Sequence, residues 1–103
     1  RRQVVMMSSR MGSMGENAVG GEVAYRSSKA ALNAVTKSLS IDLAPRVITV
    51  VAVHPGWVQT DMGGPAAALT PAQSVAGLAE VVLGLGPASN GGFLNHDGTP
   101  IAW

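Results

Sequence analysis

Two short apolar runs predict buried β-strands. The first, Gln3–Met7, reads QVVMM, and the second, Val47–Val53, reads VITVVAV. Their length and their β-branched residues favour strands over helices. Because the second run has no polar face, we expect it to form a central parallel strand that is buried on both sides. A third, shorter strand is predicted to begin within Gly91–Leu94.

Helical periodicity predicts two helices that connect these strands. The first begins at about Ala24 and ends before Pro45, because a proline stops a helix. It carries apolar residues at steps of three, four and four, namely Leu32, Val35, Leu39 and Leu43. The second covers roughly residues 71–85 and begins with the capping-box sequence Thr70–Gln73, which has proline at the first helical position. Four glycines predict a loop over residues 10–23.

The predicted order is therefore β-loop-α-β-loop-α-β. Two helical crossovers that join three strands imply parallel pairing, so the predicted fold is α/β with a Rossmann-like, doubly wound parallel sheet. In such a sheet, ligands collect at the carboxyl ends of the strands. Because three strands leave edges and faces of the sheet without cover, we expect another part of the domain to lie upstream.

Composition and charge exclude several classes of function. Apolar residues make up 47% of the chain and charged residues 13%, with a net charge of +1 and no basic cluster. Nothing in this balance favours nucleic acid or a membrane as a partner. The absence of Cys excludes disulfides and thiolate metal sites, and His54 and His96 lack the spacing of metal ligands. No apolar run approaches the roughly 20 residues that span a bilayer, and we expect a cytoplasmic location.

A group of candidate catalytic residues surrounds the end of the first strand. Tyr25 and Lys29 are four residues apart, so their head groups share one helical face. An ammonium beside a phenol favours the phenolate, and a tyrosine tuned in this way can exchange a proton near neutral pH. Ser8 and Ser9 end the preceding strand, where a hydroxyl can bind a substrate oxygen. Each feature alone is common by chance, but their combination predicts a catalytic site.

The same residues closely resemble the short-chain dehydrogenase/reductase family. The ordered motifs are a strand followed by Ser-Ser, then Tyr-x-x-x-Lys in YRSSKAAL, then a β-rich run that ends in Pro-Gly and is followed by Thr. The segments SSRMGS, AYRSSKAALN, HPGWVQTDMGG and DGTPIAW are most similar to the C-factor-like and carbonyl-reductase-like branch. The resemblance extends from Val4 to Trp103.

This resemblance implies an oxidoreductase that transfers a hydride between NAD or NADP and a small-molecule carbonyl or secondary alcohol. It assigns proton transfer to Tyr25 and the tuning of that tyrosine to Lys29. It assigns the hydrogen bond to the reacting oxygen of the substrate to Ser9, with Ser8 as the alternative. The cofactor-binding residues that it implies are Tyr25, Lys29, Pro55, Gly56, Val58 and Thr60.

The resemblance also sets expectations about the rest of the protein. The family's phosphate-binding loop, TGxxxGxG, is absent, so residues 1–103 are expected to be the C-terminal half of one domain whose N-terminal cofactor-binding half is missing. The helix over residues 25–43 corresponds to the family's dimer interface and implies a homo-oligomer. Two alternatives remain open, namely a C-factor-like signalling or interaction protein that retains the fold and a catalytically inactive fragment.

Overall fold

A strand rich in β-branched residues lies at the centre of the structure. The computed structural model describes residues 2–103, in which three strands alternate with two helices. The elements are β1 Arg2–Met7, α1 Val23–Asp42, β2 Ile48–His54, α2 Pro71–Gly84 and β3 Phe93–Asn95. The connections contain short 3₁₀ turns at Arg10–Gly12, Ala44–Arg46 and Pro87–Ser89. None of the helices in this described part is long and apolar enough to cross a membrane.

The three strands form a parallel sheet in the order β1-β2-β3. Met7 lies opposite Val53 in the β1–β2 ladder, and His54 lies opposite Asn95 in the β2–β3 ladder. The carboxyl ends of the strands therefore meet at one edge of the sheet. This arrangement confirms the predicted α/β fold with its βαβαβ order.

The core lies on both faces of β2. Val50 to Val53 are fully buried, which agrees with the prediction of a central strand. Alternate residues point to opposite faces of a strand, so β2 supplies two clusters. On one face, Val51 and Val53 pack with Leu85 and with α2 through Leu78 and Val81. On the other face, Ala52 packs with Phe93 and Ile101.

The buried face of α1 is polar, although the apolar stripe predicted the helix itself. Asn33, Thr36 and Ser40 are the buried residues of α1, whereas Val35 of the stripe is 48% exposed. The Thr36 and Ser40 hydroxyls and the Asn33 Oδ1 each have a hydrogen-bond partner, which offsets the cost of burying them. The Thr36 hydroxyl donates to the Leu32 carbonyl at 2.8 Å, for example.

Local backbone geometry explains where the bounds of the elements differ from the prediction. Val47 was predicted to start the second strand, but it has φ 56° at the end of a 3₁₀ turn, so β2 begins one residue later and includes His54. α1 begins at Val23 after Glu22, whose φ is 48°. The capping box of α2 is confirmed, since Thr70 and Gln73 exchange side-chain to backbone hydrogen bonds.

Candidate active site

One cavity of about 980 Å³ opens at the carboxyl ends of β1 and β2. Six of the seven residues predicted for the site lie in its wall, namely Ser9, Tyr25, Pro55, Gly56, Val58 and Thr60. Apolar side chains supply much of the rest, including Met7, Met11, Trp57, Val75 and Leu78. The fold thus brings residues from β1, α1 and the segment after β2 around one space, as expected for a parallel sheet.

The seventh predicted residue, Lys29, lies beside Tyr25 rather than in the cavity wall. Its Nζ is 5.8 Å from the centre of the Tyr25 ring, which is within the range of a cation–π contact. The same ammonium donates a hydrogen bond to the Met7 carbonyl at 3.3 Å. Lys29 therefore connects the first turns of α1 to the end of β1 and holds a positive charge next to the tyrosine.

The two candidate serines have different partners. Ser8 is 3% exposed, and its hydroxyl donates to the Asn33 Oδ1 at 2.6 Å. Ser9 forms the N-cap of the 3₁₀ turn, where its Oγ accepts a hydrogen bond from the Met11 amide at 3.1 Å. Since Ser9 only accepts in that contact, its own proton can be donated to a ligand in the cavity. The hydroxyl proton of Ser8, in contrast, is already donated to Asn33 on α1.

The Pro55–Gly56 turn is held tightly against its surroundings. Gly56 has φ 86°, a conformation that side-chain-bearing residues rarely adopt. A Cβ at this position would lie 2.5 Å from Leu69 Cδ1 and 2.9 Å from His96 Cδ2. The Pro55 carbonyl accepts a hydrogen bond from the buried Ser74 hydroxyl at 2.7 Å. The turn is therefore fixed to α2 by Ser74, and glycine at position 56 allows Leu69 and His96 to pack against it.

The segment after this turn forms a closed loop that carries Val58 and Thr60. Val58 makes a β-bridge with Leu69. The Thr60 Oγ1 accepts a hydrogen bond from the Gly63 amide at 3.2 Å. The Trp57 Nε1 donates to the Gly63 carbonyl at 2.8 Å. Internal hydrogen bonds thus hold both predicted cofactor contacts at the cavity wall.

His54 also lies in the cavity wall, although no motif in the sequence assigned it a catalytic or binding role. Its Nδ1 accepts a hydrogen bond from the Arg10 amide at 3.0 Å. Burial, together with the positive charges of Arg10 and His96, lowers the pKa of His54 to about 4, against an opposing effect of Glu16. The imidazole is therefore neutral at pH 7, and the proton lies on Nε2 because Nδ1 is an acceptor.

The cavity rim carries charges of both signs. Arg10 and Glu16 form an ion pair at 2.8 Å, with both side chains more than a third exposed. Such exposed pairs contribute only about 0–1 kcal/mol to stability. Glu22 and Arg26 add one charge of each sign. The rim therefore has no net charge that would select a strongly ionic ligand.

Comparisons with known proteins agree with this geometry. The family model described as short chain dehydrogenase matches residues 2–69. The chain belongs to the short-chain dehydrogenase family. It is 50% identical over 102 residues to the C-signal protein of Myxococcus xanthus, a match that covers 99% of this chain and 61% of that protein.

Two solved structures of carbonyl reductases are similar to this short-chain dehydrogenase chain. Carbonyl reductase Sniffer of D. melanogaster superposes with a TM-score of 0.95 at 52% identity, over 98% of this chain and 41% of that one. The NADPH-bound carbonyl reductase from chicken fatty liver superposes with a TM-score of 0.90 at 38% identity, over 98% of this chain and 42% of that one. The chain therefore spans about two fifths of the length of these reductases. The family resemblance inferred from the motifs is confirmed.

Two residues near the short-chain dehydrogenase motif were missed by the motif alone. Asn33 follows Lys29 by four residues, so Tyr25, Lys29 and Asn33 share one face of α1. The sequence signal for Asn33 was its spacing, since it lies one helical turn beyond the Lys of the Tyr-x-x-x-Lys motif. His54 directly precedes the Pro55–Gly56 turn, and its position at the strand end was the corresponding signal.

Proposed function

We propose that this chain supplies the proton-transfer part of a nicotinamide-dependent oxidoreductase that interconverts a carbonyl and a secondary alcohol. The observation that supports this most directly is the grouping of Ser9, Tyr25 and Lys29 beside the Pro55–Gly56 turn. Motif residues that are separate in sequence meet at the sheet edge where ligands of this fold bind. The family and the two carbonyl reductase structures support the same reaction class.

In the proposed mechanism, three side chains act on the reacting oxygen. Ser9 donates a hydrogen bond that orients the carbonyl oxygen and stabilises the charge that develops on it. Tyr25 gives its proton to that oxygen in the reduction direction and takes it back in the oxidation direction. The Lys29 ammonium, held at the Tyr25 ring and at the Met7 carbonyl, places a positive charge beside the tyrosine that exchanges the proton.

The residues at the cavity wall fit a nicotinamide group. Pro55 and Gly56 line the cavity. The missing Cβ of Gly56 makes room for Leu69 and His96, and Pro55 is fixed by Ser74, so the turn offers a rigid backbone wall against which a flat ring could lie. In the proposal, Tyr25, Lys29, Pro55, Gly56, Val58 and Thr60 hold the nicotinamide and ribose end of NAD or NADP. A bound nicotinamide would supply a hydride for the carbonyl carbon, and Tyr25 would supply the proton for its oxygen, which together give the alcohol.

In the same proposal, the two halves of the domain have different roles, and the phosphates of the cofactor are bound by the half that this chain does not contain. The sequence contains no TGxxxGxG phosphate loop. The chain covers 41% and 42% of the two reductase structures, which supports the interpretation of residues 1–103 as the C-terminal half of one domain. The activity is therefore proposed for the parent protein, meaning the longest natural polypeptide that contains these 103 residues.

We also propose that the parent protein forms a homo-oligomer through the helix over residues 25–43. Ile41 is 63% exposed and Val35 is 48% exposed on α1, so its outer side presents apolar surface. Sedimentation of the parent protein with Ile41→Lys, beside Lys37→Ala as a control on the same helix, tests this. An unchanged assembly size for Ile41→Lys contradicts this interface.

An assay of the parent protein tests the proposed reaction. Purified protein is mixed with NADPH or NADH and a panel of apolar aldehydes and ketones, and oxidation of the cofactor is followed by absorbance. Turnover with one cofactor and at least one carbonyl supports the proposal. A lack of turnover in both directions, with cofactor bound, contradicts it.

The second candidate function is a signalling or interaction protein that retains the fold. It is favoured by the 50% identity to the protein named C-signal. A catalytically inactive fragment is the remaining alternative. The Tyr25→Phe variant distinguishes these candidates from catalysis. A function that depends on the surface alone does not need the Tyr25 hydroxyl and should be retained in this variant, whereas a catalytic function should be lost.

A further inference from the structure

We propose that Ser8, Asn33 and Gly12 form a buried joint that sets the position of Ser9 relative to Tyr25. The inference rests on the proposed function, because it assigns positioning residues to that reaction. It follows from three observations about how the end of β1 and the 3₁₀ turn Arg10–Gly12 meet α1.

The first observation is the hydrogen bond between Ser8 and Asn33. The Ser8 hydroxyl donates to the Asn33 Oδ1 at 2.6 Å, and the two residues are 3% and 4% exposed. Ser8 directly precedes Ser9, and its own amide donates to the Val53 carbonyl at 2.9 Å. The strand end is thereby fixed to β2 through its backbone and to α1 through its side chain. Any movement of Ser9 relative to α1 must break or strain this buried contact.

The second observation is the close approach of Gly12 to α1. A Cβ on Gly12 would lie 2.8 Å from the backbone carbon and from the Cβ of Lys29, and 3.0 Å from the Asn33 Nδ2. These distances leave no room for a side chain at position 12, so the turn packs directly against α1 because residue 12 is glycine. Since Ser9 is the N-cap of this turn, the packing of Gly12 fixes the far end of the segment that carries Ser9.

The third observation is that this joint is built at a cost to stability. Within residues 2–103, the buried Asn33 Nδ2 has no hydrogen-bond partner. A buried donor without a partner is unfavourable, whereas small apolar side chains at both position 8 and position 33 would carry no such cost. A polar group kept under these conditions is expected where the geometry of a site matters more than stability.

Asn33 lies on the same face of α1 as the proposed acid and its lysine. Tyr25, Lys29 and Asn33 are separated by four residues each, so they form one row along the helix. Through its hydrogen bond to Asn33, Ser8 therefore contacts the same face of α1 that carries Tyr25. The joint therefore holds the end of β1 at a fixed position relative to α1. In this way it sets the distance between the Ser9 and Tyr25 side chains.

Variants of the parent protein test this joint. Ser8→Ala, Asn33→Ala and the double variant remove the hydrogen bond. Ser40→Ala is the matched control, because Ser40 is 2% exposed on the same helix and its hydroxyl bonds only within α1, to Lys37. For each variant, kcat, KM, the dissociation constant of the cofactor and thermal unfolding are measured.

We expect Ser8→Ala and Asn33→Ala to lower kcat by roughly tenfold to a hundredfold, because small misplacements of reacting groups have effects of this size. The double variant should lose no more than the larger single loss, since both remove one contact. Cofactor affinity should change by less than about twofold, and Ser40→Ala should keep kcat near the wild-type value.

Two outcomes overturn the inference. One is a kcat for Ser8→Ala and Asn33→Ala that equals the kcat of Ser40→Ala at matched folded fraction. The other is a loss of kcat in which the two single variants are additive. If Ser8→Ala does not fold, Asn33→Ala carries the test alone, because it leaves the segment that contains Ser8 and Ser9 unchanged. Wild-type protein without turnover overturns the proposed function instead, so the two failures are distinguished by the wild-type assay.

Discussion

The Nδ1 of His54 accepts a hydrogen bond from the Arg10 amide at 3.0 Å, which joins the end of β2 to the turn that follows Ser9. This contact requires a neutral imidazole, because a protonated Nδ1 would place its own hydrogen against the Arg10 N–H. The low pKa of His54, about 4, keeps the contact intact throughout the neutral range. His54 thus fixes one side of the serine-bearing segment, and Ser8 and Asn33 fix the other.

The first prediction concerns the pH dependence of stability. Between pH 6.5 and about 4, His54 binds a proton in the unfolded chain but not in the folded one, because its folded pKa is lowered from 6.5 to about 4. The free energy of unfolding should therefore fall as the pH decreases through this window. His54→Asn keeps an acceptor for the Arg10 amide but does not titrate, so urea unfolding should show a smaller fall. An identical pH dependence of wild type and His54→Asn would contradict this assignment.

The second prediction concerns the Pro55–Gly56 turn. Gly56→Ala and Gly64→Ala both place a side chain at positive φ, 86° and 78°, which costs roughly 1–2 kcal/mol each. Only position 56 is crowded, by Leu69 and His96, whereas position 64 has no atom within 4 Å of a Cβ. Overpacking should add about 1–3 kcal/mol at position 56. Equal losses in urea unfolding of the two variants would show that the turn has more room than the structure indicates.

The third prediction separates the two functions of the Ser9 hydroxyl. Ser9→Ala removes an N-cap and the proposed donor to the reacting oxygen, while Thr70→Ala removes a comparable cap from α2. Loss of a cap costs about 1 kcal/mol of stability in either variant. Loss of the donor should lower kcat by about 10²-fold in Ser9→Ala alone. A kcat for Ser9→Ala that matches the kcat of Thr70→Ala would remove Ser9 from the mechanism.

The fourth prediction concerns the 103-residue chain by itself. Because it contains no TGxxxGxG loop for the phosphates, it should bind NADH and NADPH with dissociation constants weaker than about 1 mM, or about −4 kcal/mol. Fluorescence titration of the chain, with circular dichroism as a check of folding, measures this. Saturable binding in the micromolar range would overturn the proposed division of the domain.

Sequence patterns predicted the elements because strands, helices and caps depend on residues close in the chain. The spacing of Tyr25 and Lys29 and the capping box at Thr70 are of this kind, and the structure shows both. The partners of Ser8 and Arg10 are 25 and 44 residues away, so no local pattern marks them. Contacts of that kind depend on how the elements pack.

The buried face of α1 illustrates a second limit of the sequence patterns. Hydrophobic periodicity favours the stripe that includes Val35 as the inner face. Leu32, Leu39 and Leu43 of this stripe are only half-buried. The fully buried residues of the helix are Asn33, Thr36 and Ser40, whose small side chains allow the turn at Gly12 and the sheet to approach closely. The apolar surface that stays outside, including Ile41, is the surface proposed for a second subunit.

The most direct test of the proposed function is the kcat of Tyr25→Phe in the parent protein, measured with saturating cofactor and carbonyl substrate. The substitution removes one hydroxyl and keeps the ring beside Lys29. We predict that kcat falls by about 10²–10⁴-fold, the usual contribution of a general acid, while the dissociation constant of the cofactor changes by less than about twofold. A Tyr25→Phe protein that retains the wild-type kcat would contradict proton transfer by Tyr25 and with it the proposed mechanism.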